Sequence, residues 1–567
     1  MLDLKKKPYE LTNNQIEFIH HQVDNMSTDE KIGQIFVVIG QDEDTIDISK
    51  FIEKYQPGGM MYRPDRADKI ERELATAQKA SKIPLFMAAN LESGGNGIIT
   101  EGTWFGMPLQ VAASNDIRNA YQLGNVSGSE AHQVGVNMAF APIIDISYNF
   151  RNPIVNTRTF GNSENRIQQM AQEQIKGLED NDVIPVIKHF PGDGVDERDQ
   201  HLLSSVNSLD ADEWMASYGQ LYRHFIQNGI SSIMIGHILQ PAWEKRLCPG
   251  IKDSELMPAS ASKLLINGLL RDKLGFNGLT ITDATPMLGY NTAMSRSQLL
   301  VTSINAGVDM LLFNKNIDED FDSVKNAIKD GTLSSQRLDE AVTRILATKI
   351  AQHIMNESGG LVPSSEDRCT VELLDDQKKS AQLAQQSVTL VKDRDRILPI
   401  TLKKYPKIRL IVLGDSDDGG FKEGGKVGPI FKKQLENVGF KVQLFDNKNL
   451  DFHEIFEEGI ADLKEKFDLA IYVANIESAS NQTTTRLNWI HLMAANAPWF
   501  EKDIPTVFIS TANPYHLFDI PYISTYINAY TGNRVTVSAI IRKIIGREEF
   551  FGISPVDPFC GDPLTRY

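Results

Sequence analysis

The sequence predicts an α/β protein in which a (β/α)8 TIM-type barrel is followed by a smaller α/β sandwich domain. Short apolar runs alternate with helical patterns through the first 355 residues, and a Gly-, Ser- and Pro-rich stretch separates them from a second alternating series. Alternation of this kind is typical of a parallel sheet covered by helices. The predicted domains are 1–355 for the barrel, 356–380 for a linker and 381–567 for the sandwich.

Eight apolar runs of the first domain have the length of buried strands. Because these runs are apolar almost without interruption, they indicate strands covered on both faces, as in a parallel sheet. Helical stretches such as 163–180 and 211–229 lie between most of them, and the second ends at Gly229, a residue that suits a helix C-terminus. Eight such strands predict a closed barrel. The runs are 32–39, 58–62, 84–90, 136–146, 183–190, 231–237, 279–284 and 308–314.

The second domain is predicted to begin with a helix over 375–393 and to continue with alternating strands and helices. Its glycine-rich stretch 420–427 has the G-x-x-x-x-G-K spacing of a phosphate-binding loop, but Val427 stands where a Ser or Thr would hold Mg²⁺. Aspartates just upstream would also repel phosphate. A loop without a nucleotide is therefore predicted here. The strand-like runs are 408–414, 441–446, 468–475, 505–510 and 524–530.

Composition argues against several classes of partner. The formal net charge of −16 disfavours binding to nucleic acid or to an anionic membrane. The lysines near the start are not followed by the apolar segment of a signal peptide, and no run of about 18 apolar residues predicts a transmembrane helix. Cys248, Cys369 and Cys560 are far apart and odd in number, which fits reduced thiols and a cytoplasmic location.

Polar residues follow most of the predicted barrel strands. In a (β/α)8 barrel the functional groups lie at the carboxyl ends of the strands, so these residues are candidates for one site. Strand ends are often polar in any protein, but amide and titratable groups are more frequent here than Gly and Ser. The residues at these ends are Asn90, Glu92, Asp145, Lys188, His189, His237, Asp283 and Asn314.

Two features of this set point to acid–base chemistry. Asp199 and His201 are two residues apart, so an extended loop lets the carboxylate reach the imidazole and create a general acid/base. Asp283 closes an apolar strand, where a buried carboxylate needs a partner or a catalytic use. The alternatives are an ordinary surface loop for Asp199–His201 and a helix-capping role for Asp283.

The chain resembles glycoside hydrolase family 3, in particular its β-N-acetylglucosaminidase branch. The motifs that carry this resemblance extend over nearly the whole chain, and the segment from KHFPG to D-x-H is the most specific of them. They are MSTDEKIGQIF near the start, NTRTFGNS at 156–163, KHFPGDG with DQH, LLRDKLGFNGLTITDATPM at 269–287, AGVDMLL at 306–312, QLAQQSVTLVKDRDRILPI at 382–400 and FGISPV at 551–556.

The resemblance implies a role for each motif residue. Asp283 matches the catalytic nucleophile, His201 the general acid/base, and Asp199 its dyad partner. Arg158, Lys188 and His189 match residues that hold the terminal sugar, and Asn90 and Glu92 lie where the family has a D-Q-E-G-G stretch. His237, from its strand-end position, is also predicted to bind the substrate.

Two residues depart from the family pattern. Asn90 replaces the aspartate that normally binds sugar hydroxyls, and Asp193 replaces the second histidine of KHFPGHG. Both changes concern substrate positioning, so they affect the predicted sugar specificity more than the predicted reaction class.

The predicted function is a retaining exo-β-N-acetylglucosaminidase that removes terminal GlcNAc from cell-wall (muropeptide) or chitin-derived oligosaccharides. No cofactor or metal is predicted, and a homo-oligomer is a possible assembly. A β-glucosidase and a GlcNAc phosphorylase on the same fold are alternatives. The phosphorylase is considered because a neutral imidazole repels phosphate less than a carboxylate does, although the negative charge of Asp193 disfavours phosphate. Alternatives from other classes are a metal-dependent hydrolase using the His and Asp residues and an inactive sugar-binding protein.

Overall fold

The computed structural model of the chain describes residues 2–40, 47–355, 370–415, 426–447, 449 and 452–566. They form two compact units. The first unit comprises Met1–Thr103, Ala120–Asn152 and Ser163–Leu374, and the second comprises Trp104–Asn119, Pro153–Asn162 and Asp375–Tyr567. Two short segments of the predicted barrel domain therefore group with the second unit. Of the predicted linker 356–380, residues 356–369 lie outside the described residues, and a helix has already begun at Thr370.

The first unit confirms the predicted barrel. Within its described residues, eight parallel strands form a closed sheet, in which β10 pairs with β1 to complete the ring. Each of the eight predicted apolar runs contains one of these strands, while β6 and β8 form a separate parallel pair. The strands are β1 Phe36–Ile39, β2 Gly59–Met61, β3 Phe86–Ala89, β4 Met138–Ala139, β5 Ile184–Phe190, β6 Ser205–Val206, β7 Ser232–Ile235, β8 Ile238–Leu239, β9 Leu279–Ala284 and β10 Met310–Leu312.

Helices follow the barrel strands and their ends match the sequence signals. Asp210 caps the predicted helix 211–229 and Gly229 ends it in the left-handed region at φ +93°, but Ser217 divides this stretch into two helices. A π-helix, Leu264–Lys273, precedes β9. The α-helices up to the linker are α1 Asn13–Asn25, α2 Thr28–Gln34, α3 Ile48–Tyr55, α4 Ala67–Ala80, α5 Pro108–Ala113, α6 Ile117–His132, α7 Glu164–Glu179, α8 Ala211–Ala216, α9 Tyr218–Asn228, α10 Pro241–Leu247, α11 Leu288–Asn291, α12 Arg296–Ala306, α13 Ile317–Asp330 and α14 Ser335–Ala351.

The second unit is an α/β sandwich, as predicted. Its described residues form a six-stranded sheet in the order β11-β16-β15-β14-β12-β13, parallel except for the edge strand β11. Alternate residues of β12 enter different apolar cores, with Leu410 in one and Ile411 in the other, so both faces of the sheet are covered. The strands are β11 Thr389–Asp393, β12 Lys407–Leu413, β13 Lys441–Leu444, β14 Leu469–Ala474, β15 Thr506–Ser510 and β16 Thr525–Asn528, and the helices are α15 Thr370–Ser387, α16 Gly428–Val438, α17 Phe452–Phe456, α18 Ile460–Lys466 and α19 Arg534–Ile544.

The predicted helix 375–393 is wrong over its last part. The helix ends at Ser387, and Thr389–Asp393 forms the antiparallel edge strand β11. Pairing with β16 satisfies the backbone of this Thr- and Val-containing segment, so tertiary context overrides the helical pattern. Among the described helices, none combines the length and the apolar character needed to cross a lipid bilayer.

A buried ion cluster stabilises the amino-terminal end of the barrel. Asp309, which precedes β10, accepts hydrogen bonds from Arg271 at 2.9 Å and Arg337 at 2.8 Å, and Arg344 lies 3.5 Å away. The Thr280 N–H and hydroxyl donate to the same carboxylate at 3.1 and 2.9 Å. Burial raises the pKa of Asp309, but the three guanidinium groups outweigh burial and lower it. Asp309 is therefore the buried anion that three guanidinium groups of this cluster share.

We predict that Asp309→Asn lowers the free energy of unfolding by about 3–5 kcal/mol, because it leaves buried guanidinium groups without their counter-charge. Urea denaturation measures the change. Glu340→Gln is the matched control, since Glu340 contacts Arg344 at 2.7 Å but is 41% exposed; it should cost less than about 1 kcal/mol. Equal effects of the two substitutions would contradict the prediction.

Candidate active site

Asp283 lies at the carboxyl end of β9 and is the central residue of the candidate site. Its Oδ1 accepts a hydrogen bond from the Ala284 N–H at 2.7 Å, and its Oδ2 lies 3.9 Å from His189 Nε2. Burial raises the pKa of Asp283, but the imidazoles of His189, His237 and His201 outweigh it and lower the pKa to about 2. The carboxylate is therefore anionic at neutral pH, as a nucleophile must be.

The predicted dyad of Asp199 and His201 is present. His201 Nδ1–H donates to Asp199 Oδ1 at 2.7 Å, and the His201 backbone N–H donates to the same oxygen at 2.8 Å. Asp199 is buried, whereas the His201 side chain is 22% exposed. An ionised carboxylate only accepts hydrogen bonds, so it holds the proton on Nδ1 and leaves Nε2 to exchange a proton with a bound molecule.

The loop that carries the dyad is seated by close contacts with its surroundings. The Leu288 N–H donates to the His201 carbonyl at 3.0 Å. A Cβ at Gly289 would lie 2.2 Å from the Gln200 carbonyl oxygen, so only glycine permits this approach. Gly192, at φ +117°, turns the chain against the Tyr218 ring, where a Cβ would lie 2.2 Å away. These contacts explain why positions 192 and 289 require glycine.

A second His–Asp pair lies beside the first. His189 Nδ1 is 2.6 Å from Asp145 Oδ2, and both side chains are buried. Asp145 Oδ1 also accepts from the backbone N–H groups of His189 at 3.2 Å and Asp193 at 2.8 Å. The sequence predicts Asp145 at a strand end but does not indicate this partnership, which joins the ends of β4 and β5. His189 Nε2 consequently faces the Asp283 carboxylate.

Lys188 and Glu92 provide a further charged pair at the carboxyl ends of β5 and β3. Lys188 Nζ donates to Glu92 Oε1 at 2.7 Å, and both side chains are largely shielded from solvent. Asn90 is the first residue after β3 and is half-buried. Asn314, after β10, donates to Asp320 at 3.3 Å. The structure thus places the amide and charged groups of three strand ends at the same end of the barrel.

His237 has both ring nitrogens engaged by the protein. Its Nδ1 lies 2.8 Å from the Ser260 hydroxyl, and its Nε2 lies 3.1 Å from the Ala284 carbonyl oxygen. Burial lowers the pKa of His237 to about 4, so the ring is neutral at neutral pH. A neutral ring that faces a carbonyl oxygen must donate from Nε2. This hydrogen bond holds the backbone of Ala284, the residue after Asp283, in place. This geometry favours a positioning role, and the predicted sugar contact of His237 stays a prediction.

Arg158 belongs to Pro153–Asn162, the segment that groups with the second unit. It ends a 3-10 turn, and its guanidinium donates to the Ile154 carbonyl at 3.3 Å. Its sugar-binding role therefore rests on the resemblance alone.

Asp193 and Gln200 are buried polar residues in the stretch that carries the dyad. The sequence predicts that Asp193 affects the binding of substrate and phosphate, but it assigns no role to Gln200. Burial, followed by the Asp145 charge, raises the pKa of Asp193 to about 6. A polar residue between two dyad members was the available signal for Gln200.

The described residues hold no group of three or more His, Cys, Asp or Glu side chains arranged to bind a metal ion. The residues named for a metal-dependent alternative are instead paired with each other or with backbone groups. In the second unit, residues 420–425 of the glycine-rich stretch lie outside the described residues. The N–H groups of Val427 and Gly428 donate to the Asp415 carboxylate at 2.7 and 3.0 Å, so an anion of the chain already occupies this helix start.

Comparison with known proteins identifies relatives of the whole chain. The profile of the glycosyl hydrolase family 3 N-terminal domain matches residues 27–348. A β-N-acetylglucosaminidase/β-glucosidase of Cellulomonas fimi is 38% identical over 569 residues, which cover 99% of this chain and 99% of that protein. β-Hexosaminidase A of Pseudoalteromonas piscicida is 26% identical over 62% of each chain.

Solved structures extend the comparison. The β-glucoside phosphorylase BglX, also solved with bound 2FGlc, is 42% identical with a TM-score of 0.91, covering 99% of each chain. A family 3 β-N-acetylglucosaminidase from Paenibacillus sp. str. FPU-7 has a TM-score of 0.78 at 22% identity, covering 94% of this chain and 99% of that chain, and supports the fold alone.

We predict that Asp283→Asn abolishes nearly all cleavage of aryl β-glycosides while the fold is kept, because the two side chains are almost isosteric and the amide is a poor nucleophile. Steady-state rates and a melting curve measure both effects. Activity within about tenfold of the parent, roughly 1.4 kcal/mol of barrier, would show that the nucleophile is another group.

We predict that His201→Ala slows alkyl glycosides much more than dinitrophenyl glycosides, since good leaving groups depart without protonation. Asp199→Ala should show the same trend more weakly. The ratio of kcat/KM between the two substrate types is the measurement. An equal loss on both types would mean that His201 binds or supports the loop without donating a proton.

Proposed function

This chain belongs to glycosyl hydrolase family 3, and we propose that it cleaves terminal β-glucosyl and β-N-acetylglucosaminyl residues with retention and transfers them to inorganic phosphate. The observation that carries the proposal is the acid/base group, which is the imidazole of His201 held by Asp199 instead of a carboxylate. The likeness of the full chain to a β-glucoside phosphorylase at 42% identity supports the same acceptor.

In the first step the anomeric carbon passes from the leaving group to Asp283. The Ala284 N–H already holds Oδ1, so we expect Oδ2 to form the new bond. His201 Nε2–H protonates the departing oxygen as the glycosidic bond breaks, and the imidazole becomes neutral. The product of this step is a glycosyl ester on Asp283 and a free alcohol, as in other retaining enzymes.

In the second step hydrogen phosphate attacks the anomeric carbon and the bond to Asp283 breaks. The remaining proton of the phosphate passes to His201 Nε2, which restores the imidazolium. The net reaction converts a glycoside and hydrogen phosphate into a glycosyl phosphate and an alcohol. Two inversions at one carbon give retention, so the product is the β-anomer.

Electrostatics favour phosphate at this base. Two unit charges 4 Å apart interact by about 4 kcal/mol at an effective dielectric constant of 20, and phosphate carries nearly two charges. A neutral imidazole removes the negative charge from direct contact with the acceptor and leaves it on Asp199, behind the ring. The repulsion is reduced, while the buried dyad still supplies the proton of the first step.

The identity of the sugar is proposed from the relatives and the strand-end residues. Proteins related over the full chain carry the names β-N-acetylglucosaminidase/β-glucosidase and β-glucoside phosphorylase, so we propose that both 2-hydroxy and 2-acetamido sugars are accepted. Lys188, Glu92 and His189 supply donors and acceptors for sugar hydroxyls. Asn90 adds an amide, which both donates and accepts, where the family pattern has an aspartate.

We propose a cytoplasmic location, where phosphate is abundant and a charged sugar product is retained.

We predict that millimolar phosphate accelerates turnover of nitrophenyl β-glucoside and β-GlcNAc and that the corresponding glycosyl 1-phosphate accumulates. Mass spectrometry identifies the product, and NMR coupling at the anomeric position assigns the β-configuration. If only the free sugar forms and the rate is independent of phosphate, water is the acceptor and the enzyme is a hydrolase.

His201→Glu is the matched variant for this test. It restores a carboxylate acid/base of similar reach, so it should keep hydrolysis of activated substrates and lose the response to phosphate. A variant that still responds to phosphate would show that the imidazole is not the reason for acceptor choice.

A further inference from the structure

Gln200 has a buried amide that connects two parts of the site. Its Oε1 accepts a hydrogen bond from the His237 backbone N–H at 2.9 Å, and its Nε2 donates to Asp193 Oδ2 at 3.3 Å. The residue is completely buried, and it lies between Asp199 and His201 in the chain. Its side chain therefore connects the dyad loop to the segment after β7 and to the Asp193 turn from the interior.

The direction of this hydrogen-bond chain is determined at one end. The backbone N–H of His237 can only donate, so it selects the oxygen of the Gln200 amide. The amide nitrogen must then face Asp193 Oδ2, and that oxygen must accept. Asp193 Oδ1 already accepts from Asn152 at 3.0 Å and from the Gly194 N–H at 2.7 Å. Among the described contacts, Gln200 is the hydrogen-bond donor to Oδ2.

We propose that Gln200 is a positioning residue that holds the Asp199–His201 dyad in its productive place only while Asp193 is ionised. The proposal rests on the proposed function of this dyad as the acid/base pair, but not on the identity of the acceptor. Asp193 is then a charge-dependent anchor of the acid/base loop rather than a sugar ligand.

Protonation of Asp193 would break the hydrogen-bond chain at the Asp193 end. The added proton would go to Oδ2, because Oδ1 is held by two N–H donors. An O–H and an N–H would then face each other, and the Gln200 amide cannot reverse without opposing the His237 N–H. A buried donor left without an acceptor is costly, so the loop shifts instead. The shift moves His201, which is the neighbour of Gln200 in the chain.

The groups around Asp193 place this transition near neutral pH. The carboxylate of Asp145, the imidazole of His189 and the phenol of Tyr218 face it, together with the amides of Asn152 and Gln200. Burial and then Asp145 raise the pKa of Asp193 to about 6, against the opposing effect of His189. The Asp193 carboxylate is therefore ionised above about pH 6 and protonated below it. Cleavage of substrates that need a proton from His201 consequently slows as the pH decreases through this value.

The first experiment compares Asp193→Asn with the full-length parent on alkyl and dinitrophenyl β-glycosides across pH, scoring released aglycone. Asparagine presents an N–H where protonated Asp193 would present an O–H. The kcat of the alkyl glycoside should fall about tenfold or more, the acidic limb near pH 6 should disappear, and the dinitrophenyl glycoside should change little. Glu197→Gln is the control, because it removes the same charge from an exposed position of the same loop.

The second variant, Gln200→Glu, should invert the pH dependence. The carboxylates of Asp193 and of the introduced glutamate cannot both ionise at this distance, so they share one proton. The hydrogen-bond chain is complete only while that proton is bound. Alkyl glycoside cleavage should then fall as the pH rises, whereas the parent gains activity over the same range. A residue that merely fills space would not reverse the sign.

Three results would overturn the inference. They are a parent-like pH profile in Asp193→Asn, an equal loss on both substrate types, and a parent-like direction of pH dependence in Gln200→Glu. Circular dichroism and melting curves confirm that each variant is folded before it is scored. Because released aglycone is measured for any acceptor, a failure of phosphorolysis leaves this test unaffected, whereas loss of the leaving-group effect in His201→Ala would remove its premise.

Discussion

The candidate site depends on the cost of burying carboxylates where water cannot solvate them. Asp145, Asp193, Asp199 and Asp283 are all buried at the carboxyl end of the barrel. An isolated buried carboxylate is expensive, so each of these groups needs N–H donors or a cationic partner. The imidazoles, the strand-end N–H groups and the Gln200 amide are arranged around this requirement.

Two of these carboxylates, Asp283 and Asp193, acquire different pKa values because their surroundings differ. Asp283 faces three imidazoles and a backbone N–H, and its pKa is held at about 2. Burial and then the neighbouring carboxylate of Asp145 raise the pKa of Asp193 to about 6, against the opposing effect of His189. A carboxylate that is ionised at neutral pH and a carboxylate whose pKa is raised therefore coexist in the candidate site, which is the separation of pKa values that acid–base enzymes use.

The same constraint has a structural use at the opposite end of the barrel. Asp309 is buried among Arg271, Arg337 and Arg344, and the cations lower its pKa. There the carboxylate joins the π-helix and α14 to the start of β10 through hydrogen bonds from Arg271 and Arg337. At the carboxyl end, His201 remains partly exposed, so one proton-bearing nitrogen is available to a bound molecule. The two clusters also differ in chemistry, because a guanidinium group stays protonated whereas an imidazole can exchange a proton near neutral pH.

The sequence by itself determined the barrel, the sandwich and the dyad, because these depend on local patterns: buried strands are apolar runs, and Asp199 reaches His201 from two residues away. It misjudged β11, because pairing with β16 is a long-range contact. The pairing of His189 with Asp145, the engagement of both His237 nitrogens and the bridge from Gln200 to Asp193 were decided only by the tertiary structure. Each joins groups on different strand ends or loops, and burial, which sets their pKa values, exists only once the barrel has closed.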